Sequence, residues 1–380
     1  MSKVDILIKG GRVYDPAANI DYIGDIAIKY GRIEAHGVSG DVEATHVVDA
    51  SGCLVLPGLI DSHIHCFYHG THIGLNPDIA CIPAGVTAVI DAGSTGVSNC
   101  NALLEQLALR TEKGKILLHV CAGGQIMSRQ YSENVDPKVW DIDLFKEILS
   151  KNREKIVGLK VRTSRNIVGE FGFKPLEEAV RLGEKLGLRV VVHSTNPPGT
   201  MADVADRLRP GDILCHVFHG SGESIVSSEK IFSDIRKARE RGVLFDLAQG
   251  QGNFSIPVAK RAIQEGFYPD TISTDLNLES WNNPLAFCLL MTMSKMRALG
   301  MPVEHIVKSV TANAAAVYKE SGELGTLRAG TCADITVVRE KEMSVTYTDI
   351  YGNTVTGQSL YVPMLTVIDG KIQFRSPETI

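Results

Sequence analysis

The 380-residue chain has no Cys-x-x-Cys pair, no dense basic stripe, no low-complexity linker and no apolar run of eighteen residues. Its eight cysteines (Cys53, Cys66, Cys81, Cys100, Cys121, Cys215, Cys288 and Cys332) are scattered, which suits reduced thiols better than a disulfide framework. Without a long apolar run, no membrane-spanning segment is expected. A net charge of −5 without a basic stripe gives no sign of a nucleic-acid partner. The first residues, Met1 to Lys9, are too short and too interrupted by charge to form a signal peptide, so a cytoplasmic location is expected. No Gly-x-Gly-x-x-Gly follows the first strong apolar strand, which argues against a doubly wound dinucleotide-binding sheet. Gly250-Gln251-Gly252 is a lone glycine pair, read as a loop that lets backbone approach closely.

With 44% apolar and 22% charged residues, the composition is that of a globular protein, and the length suits a barrel with an accessory domain. Residues 1–56 read as short strands broken by glycines, such as Ile6 to Tyr14 and Asp25 to Ile33, favouring a small antiparallel β-unit. From residue 58 the pattern changes. Apolar runs at 58–65, 86–92, 115–121, 156–162, 189–194, 212–217, 243–247 and 271–275 alternate with amphipathic segments at 101–113, 175–186, 228–241 and 256–266. Short continuous apolar runs suit parallel strands buried on both faces. This is the count and spacing of an α/β fold of the (β/α)8 TIM-barrel type. Helical segments at 283–299 and 303–318 follow, and strands return at 333–338, 360–362 and 364–372. The expected organisation is a catalytic TIM barrel over 57–326 and a small β-sandwich domain formed by both chain ends, 1–56 plus 327–380.

The chemistry lies at the strand ends. On a strand, His63 and His65 share one face about 6–7 Å apart, a natural half of a metal site. Lys160 lies deep in the fourth apolar run, His193 and His216 end the fifth and sixth, and Asp275 ends the eighth. In a TIM barrel these ends converge on one mouth, which makes a metal site the expected outcome. Lys160 has two readings: a lysine that reaches solvent or an acid, or a buried amine kept neutral and able to take up carbon dioxide as a metal-bridging carbamate.

Asp61 to His65 after Pro57-Gly58, Gly158-Leu159-Lys160-Val161-Arg162, His193, His216 and Ser273-Thr274-Asp275 together resemble the amidohydrolase superfamily. So do Thr311 to Ala316 and Gly325 to Ile335. In the binuclear branch that the chain resembles, His63 and His65 would bind one divalent ion and His193 and His216 the other. Carboxylated Lys160 would bridge them, and Asp275 would bind the first ion and move the proton between attacking water and leaving group. Zn²⁺ suits such ligands best, with Mn²⁺, Co²⁺ and Fe²⁺ open. Asp61 has either a ligand-orienting or a structural role.

The resemblance also bears on substrate. Dihydroorotases typically place an arginine after His-x-His, whereas this chain has Cys66-Phe67-Tyr68-His69-Gly70. Hydantoinases carry Asp-His-Ala-Pro where this chain has Asp275-Leu276-Asn277-Leu278, and adenine deaminases usually lack the strand-four lysine. The chain looks more like a deacetylase-like branch acting on small acylated amino or hydroxy acids. Cyclic-amide hydrolysis is the alternative activity, and a non-catalytic scaffold the alternative class. Arg162 is expected either to hold a substrate carboxylate, alone or with Arg165, or to form an ion pair at the rim. Tyr68 and His69, with His72, are candidate pocket residues; His219 is ambiguous. His119 either lines the barrel or is a satisfied core residue, the latter favoured; strand alternation points Cys66 and Cys215 away from the ligand residues, into core packing. A small-molecule substrate and a homo-oligomeric assembly are the expected partners.

Overall fold

The computed structural model describes residues 3–37, 42–127 and 130–379; residues 1–2, 38–41 and 380 of the expected end-built domain and 128–129 of the expected barrel lie outside them. The chain starts with β1 (Val4–Asp15), β2 (Ile20–Lys29), β3 (Arg32–His36), β4 (Ala44–Asp49) and β5 (Leu54–Pro57). β1 pairs antiparallel with β2 and parallel with both β4 and β5. Strand alternation places Ile6, Ile8, Ile26 and Ile28 in one buried cluster with Val13 and Val55.

At Gly58 the chain leaves this sheet. β6 (Leu59–Ile64), β7 (Val86–Asp91), β8 (Lys113–His119), β9 (Ile156–Arg162), β10 (Arg189–His193), β11 (Ile213–Cys215) and β12 (Leu244–Phe245) form a second sheet, each strand beside its sequence neighbour and parallel to it. These strands are mostly apolar and nearly all buried because both faces are covered. Ile64, Leu118, Leu159, Val161 and Val192 pack outward among the helices. Ile60, Ile90, Leu117, Val157, Val191, Ile213 and Cys215 form an inner cluster. The helices show the matching stripes. Lys174–Leu186 buries Leu176, Ala179, Leu182 and Gly183, and ends at Gly187 in the left-handed conformation that such caps require.

The parallel sheet curls so that residues 271–276 reach both of its edges. Asp246, just past β12, bridges to Thr271, and Ile64 of β6 bridges to Leu276. Leu247 N–H donates to Thr271 O at 3.0 Å, and His65 N–H to Leu276 O at 2.8 Å. The sequence places a regular eighth strand at 271–275, and here the structure differs. Side chains replace part of the ladder: Thr271 Oγ1 and Ser273 Oγ donate to Asp246, and Thr274 N–H and Oγ1 donate to Asp61. The helix expected at 283–299 begins only at Leu289, because Asn277 and Asn283 accept neighbouring N–H groups and hold the preceding residues in turns. The segment 303–318 is two helices, Val303–Val310 and Ala312–Tyr318, separated at Thr311.

The tail returns to the first sheet as β13 (Ile335–Thr348), β14 (Thr354–Ile368) and β15 (Lys371–Arg375). β13 pairs with β5 and β14 with β15, giving an eight-stranded mixed sheet drawn from both chain ends. Among the described residues no helix is long and apolar enough to cross a membrane.

Candidate metal centre and active site

His63 and His65 come from β6 and the residue just beyond it, with ring centroids 6.2 Å apart. His193 ends β10, and its ring packs 4.3 Å from that of His216, just past β11. His63 joins the two pairs, 5.4 Å from His216. Lys160, only 1% exposed, points into the same space, with Nζ 3.1 Å from His63 Nε2. Asp275 closes the cluster, Oδ1 lying 3.2 Å from His65 Nε2 and 3.7 Å from His63 Nε2. All six residues singled out by sequence are therefore brought together at the C-terminal end of the parallel sheet.

The imidazoles are held from behind. His63 Nδ1 meets Asp246 Oδ2 at 3.1 Å, His65 Nδ1 meets Ser94 Oγ at 2.9 Å, and His216 Nδ1 meets Ala248 O at 2.7 Å. Each leaves Nε2 turned to the shared space, and His216 Nε2 is buried with no hydrogen-bond partner. An outer nitrogen fixed by a hydrogen-bond partner and an inner nitrogen turned to a shared space is the arrangement of a metal-ligating histidine. One nitrogen each of His63 and His65 and an oxygen of Asp275 lie within 4.8 Å of one another, close enough to share an ion. The donor set fits divalent metal.

Burial sets the protonation states. Desolvation pushes His216 down to about 3 and lowers His63 and His193, so the rings are neutral and able to donate lone pairs near pH 7. Desolvation also lowers Lys160, which has no carboxylate at ion-pair distance among the described residues. Burial alone would raise Asp275, but its hydrogen bond with His65 holds it below the usual carboxylate range. Its other oxygen accepts from Asn253 Nδ2 at 3.1 Å.

Two glycines make this packing feasible. A Cβ at Gly93 (φ +86) would stand 2.6 Å from Lys160 Cβ, and one at Gly250 (φ +52) would stand 2.7 Å from Asp275 Oδ2. Gly250 is thus the close-approach loop that the sequence suggests. His216 (φ 59), Ala248 (φ 39) and Asp275 (φ 53) are non-glycine residues in left-handed backbone, a strain of order 1–3 kcal/mol each that collects at functional sites.

The remaining candidates fare unevenly. Arg162 lies at the mouth, paired with the buried carboxylate of Glu133, so its rim ion pair is observed. Arg165 donates to Pro197 O at 2.9 Å and braces a loop. Tyr68 and His69 pack against each other, ring centroids 3.9 Å apart and planes tilted by 44°, with no hydrogen bond to the cluster among the described residues. His219 is buried against Met201 Sδ at 3.0 Å. Asp61 bonds to Thr274 and fixes the eighth segment beside His63.

Cys66 packs outward as expected, but Cys215 does not. It is in register with inward-facing His193 and lies under the cluster near Asp246, because the left-handed turn at His216 brings both consecutive side chains inward. His119 also faces inward, in register with Lys160, with Nε2 unpartnered rather than satisfied. Sequence reasoning missed Asp246, Glu133, Ser94 and Asn253. Asp246 alone had a signal, being an acid at the end of the seventh apolar run.

A parallel sheet whose strand ends gather four histidines, a buried lysine and an aspartate defines a metal-dependent hydrolase. Known proteins agree. The model of the amidohydrolase family matches residues 54–372. Deacetylase Atu3266 of Agrobacterium fabrum is 35% identical over 89% of this chain and 83% of its own. A crystal structure described as a dihydroorotase superposes with a TM-score of 0.90 at 32% identity, covering 98% of this chain and 99% of the other. One described as an adenine deaminase gives 0.87 at 29% identity, covering 98% of this chain and 100% of the other. The chain belongs to the amidohydrolase family. It is an enzyme that hydrolyses carbon–nitrogen bonds with the help of metal.

Proposed function

We propose that the protein is a deacylase that cleaves the amide or ester bond of a small acylated amino or hydroxy acid. The observation that carries this reading is the inward-facing cluster itself, with three histidines pinned through Nδ1 and aimed through Nε2. The likeness to a deacetylase across most of both chains supports an open-chain acyl substrate. His63, His65 and Asp275 would hold one divalent ion and His193 and His216 a second, with Lys160 bridging as its carbamate. Zn²⁺ is the proposed metal, since imidazole and carboxylate suit it. When bound, the ions supply a water acidified toward neutrality and a Lewis acid for the substrate carbonyl.

The chain's own groups do the rest. Asp275, held ionised and oriented by Asn253, accepts the proton of the attacking water at a carboxylate oxygen and delivers it to the leaving nitrogen or oxygen. Asp246 keeps the His63 ring in place while charge moves. Arg162, with Glu133 on one side of its guanidinium, presents its remaining N–H groups to a substrate carboxylate, and Tyr68 and His69 border the entrance. The scaffold is proposed as a (β/α)8 barrel over residues 57–326, closed through residues 271–276. A β-sandwich of residues 1–56 and 327–380 completes it. The protein is proposed to work in the cytoplasm as a homo-oligomer.

Cyclic-amide hydrolysis is the second reading, favoured by the 0.90 superposition on the structure described as a dihydroorotase. Against it stands the loop after His65, which begins Cys66-Phe67 and offers no arginine to a ring carboxylate. A panel of N-acyl amino acids, O-acyl hydroxy acids and dihydroorotate, offered to the Zn²⁺-loaded protein, separates the two. Turnover of the open-chain acyl compounds and not of dihydroorotate is expected; the reverse pattern contradicts the deacylase reading.

A further inference from the structure

The β13–β14 hairpin is longer than the mixed sheet requires. Its outer half lies along helix Leu289–Ala298, and its tip, residues 349–353, comes to rest among the loops that follow β11 and β12. Asp349 fixes the tip. Its Oδ1 accepts the N–H groups of Tyr351 and Asn353, both at 2.9 Å. Its Oδ2 accepts Ile256 N–H at 2.8 Å, so the carboxylate also caps the start of helix Ile256–Gln264.

From this anchor the two tip side chains reach the active-site loops. A Cβ at Gly220, four residues past His216, would stand 3.0 Å from Tyr351 Cε2. A Cβ at Gly252 would stand 4.0 Å from Ile350 Cδ1. The next residue along that loop is Asn253, which donates to Asp275 and accepts from Thr195 Oγ1 at 2.9 Å. The tip is therefore one residue removed from the side chain that orients Asp275. Yet Ile350 and Tyr351 are 52% and 49% exposed, two large apolar side chains beside a rim of glycine, serine and asparagine. Apolar surface left open beside convergent polar groups is the pattern of a ligand-binding wall.

We propose that Ile350 and Tyr351 form the outer apolar wall of the substrate entrance and select acylated amino or hydroxy acids that carry an apolar side group. This rests on the deacylase reading of the site. A branched side group laid on the isoleucine and the tyrosine face removes apolar surface on both partners from water, whereas a substrate with hydrogen in its place gains nothing there.

The test compares kcat/KM for N-acetylleucine and N-acetylglycine, and for O-acetyl hydroxy acids of the same two side groups, on the Zn²⁺-loaded full chain. The wild type is expected to prefer the branched substrate. Ile350→Ser/Tyr351→Ser should lower that preference about tenfold, the scale of a lost hydrophobic pocket contact. Tyr351→Phe should keep it, and metal content should match the wild type throughout. The single variants Ile350→Ala and Tyr351→Ala are read in parallel, each expected to lose part of the preference. An unchanged ratio in an active double variant overturns the proposal. So does an equal loss for both substrates, which would mark the tip as a mere brace for the Asn253 loop. A wild type inert toward the whole panel overturns the deacylase reading itself.

Discussion

Asp246 shows how much of this site depends on a residue that never faces the substrate. It takes hydrogen bonds from Thr271 and Ser273 on one oxygen and meets His63 Nδ1 with the other, all inside a space closed to solvent. Burial alone would raise its pKa, but the partnership with His63, Ser273 and Thr271 keeps it ionised. A charged acceptor fixed in this way sets both the tautomer and the angle of the ring. Asp246→Ala should therefore weaken metal binding about 10- to 100-fold, the range typical of such supporting partners. Competition with a chelator of known affinity measures it, and wild-type affinity would contradict the role. The clustered residues themselves were legible in the sequence because histidine, lysine and aspartate at the ends of apolar runs are conspicuous. Arg162 was half legible: its place at the mouth follows from strand parity, but its partner Glu133 comes from a long loop whose path no periodicity encodes.

Strand ends, more than strands, decide the geometry of the parallel sheet. β12 is two residues long, and residues 271–276 carry only isolated bridges, yet they place Asp246 and Asp275. Side-chain clamps account for this. Asp61 accepts Thr274 N–H at 3.1 Å, Thr274 Oγ1 at 2.6 Å and His63 N–H at 3.4 Å, tying β6 to the eighth segment. Asp61→Ala removes these acceptors from a buried site and should cost about 2–4 kcal/mol of unfolding free energy. Denaturant unfolding of the metal-free variant measures it, and a change below ~0.5 kcal/mol would contradict the clamp. Propensity reasoning sees the apolar run at 271–275 but not that its backbone is bonded partly by side chains. The hairpin was hidden for a related reason. Its inner ends, such as Ile335 to Val338, read as strand, while its outer halves, Ser344 to Thr348 and Thr354 to Ser359, are polar and mostly out of the core.

Across the whole molecule, two sheets from one chain serve different ends, and the titration of the buried groups links them to stability. Burial depresses His216 to about 3 and His119 and His219 to about 4, and lowers His63 and His193. In the unfolded chain these rings titrate near 6.5, so between the folded and unfolded values the unfolded state binds more protons. Stability of the metal-free protein should then be intact above about pH 6.5 and fall as the pH drops toward 3. Asp61, pushed up to about 7 by burial, acts with the opposite sign, as do Glu112 and Asp270, whose carboxyls are also raised by burial; the lowered carboxyls of Asp246, Asp275 and Glu133 act with the five imidazoles, losing their contribution as pH falls. A denaturation midpoint clearly lower at pH 5 than at pH 7 is expected; an equal or higher midpoint would contradict these buried neutral histidines. The alternation of strand and helix was legible because eight apolar runs are interleaved with helical stripes, and strands return at the tail. How the tail reaches back across the chain to the active-site loops was not, since contacts between residues a hundred positions apart leave no local pattern.

The carbamate proposed on Lys160 would join two metal ions in this cluster. Metal analysis of the purified protein beside Lys160→Ala tests it most directly. About two divalent ions per chain in the wild type are expected, falling well below one in the variant and partly restored by a short carboxylic acid that stands in for the carbamate. A variant that still holds two ions and retains full activity would contradict it.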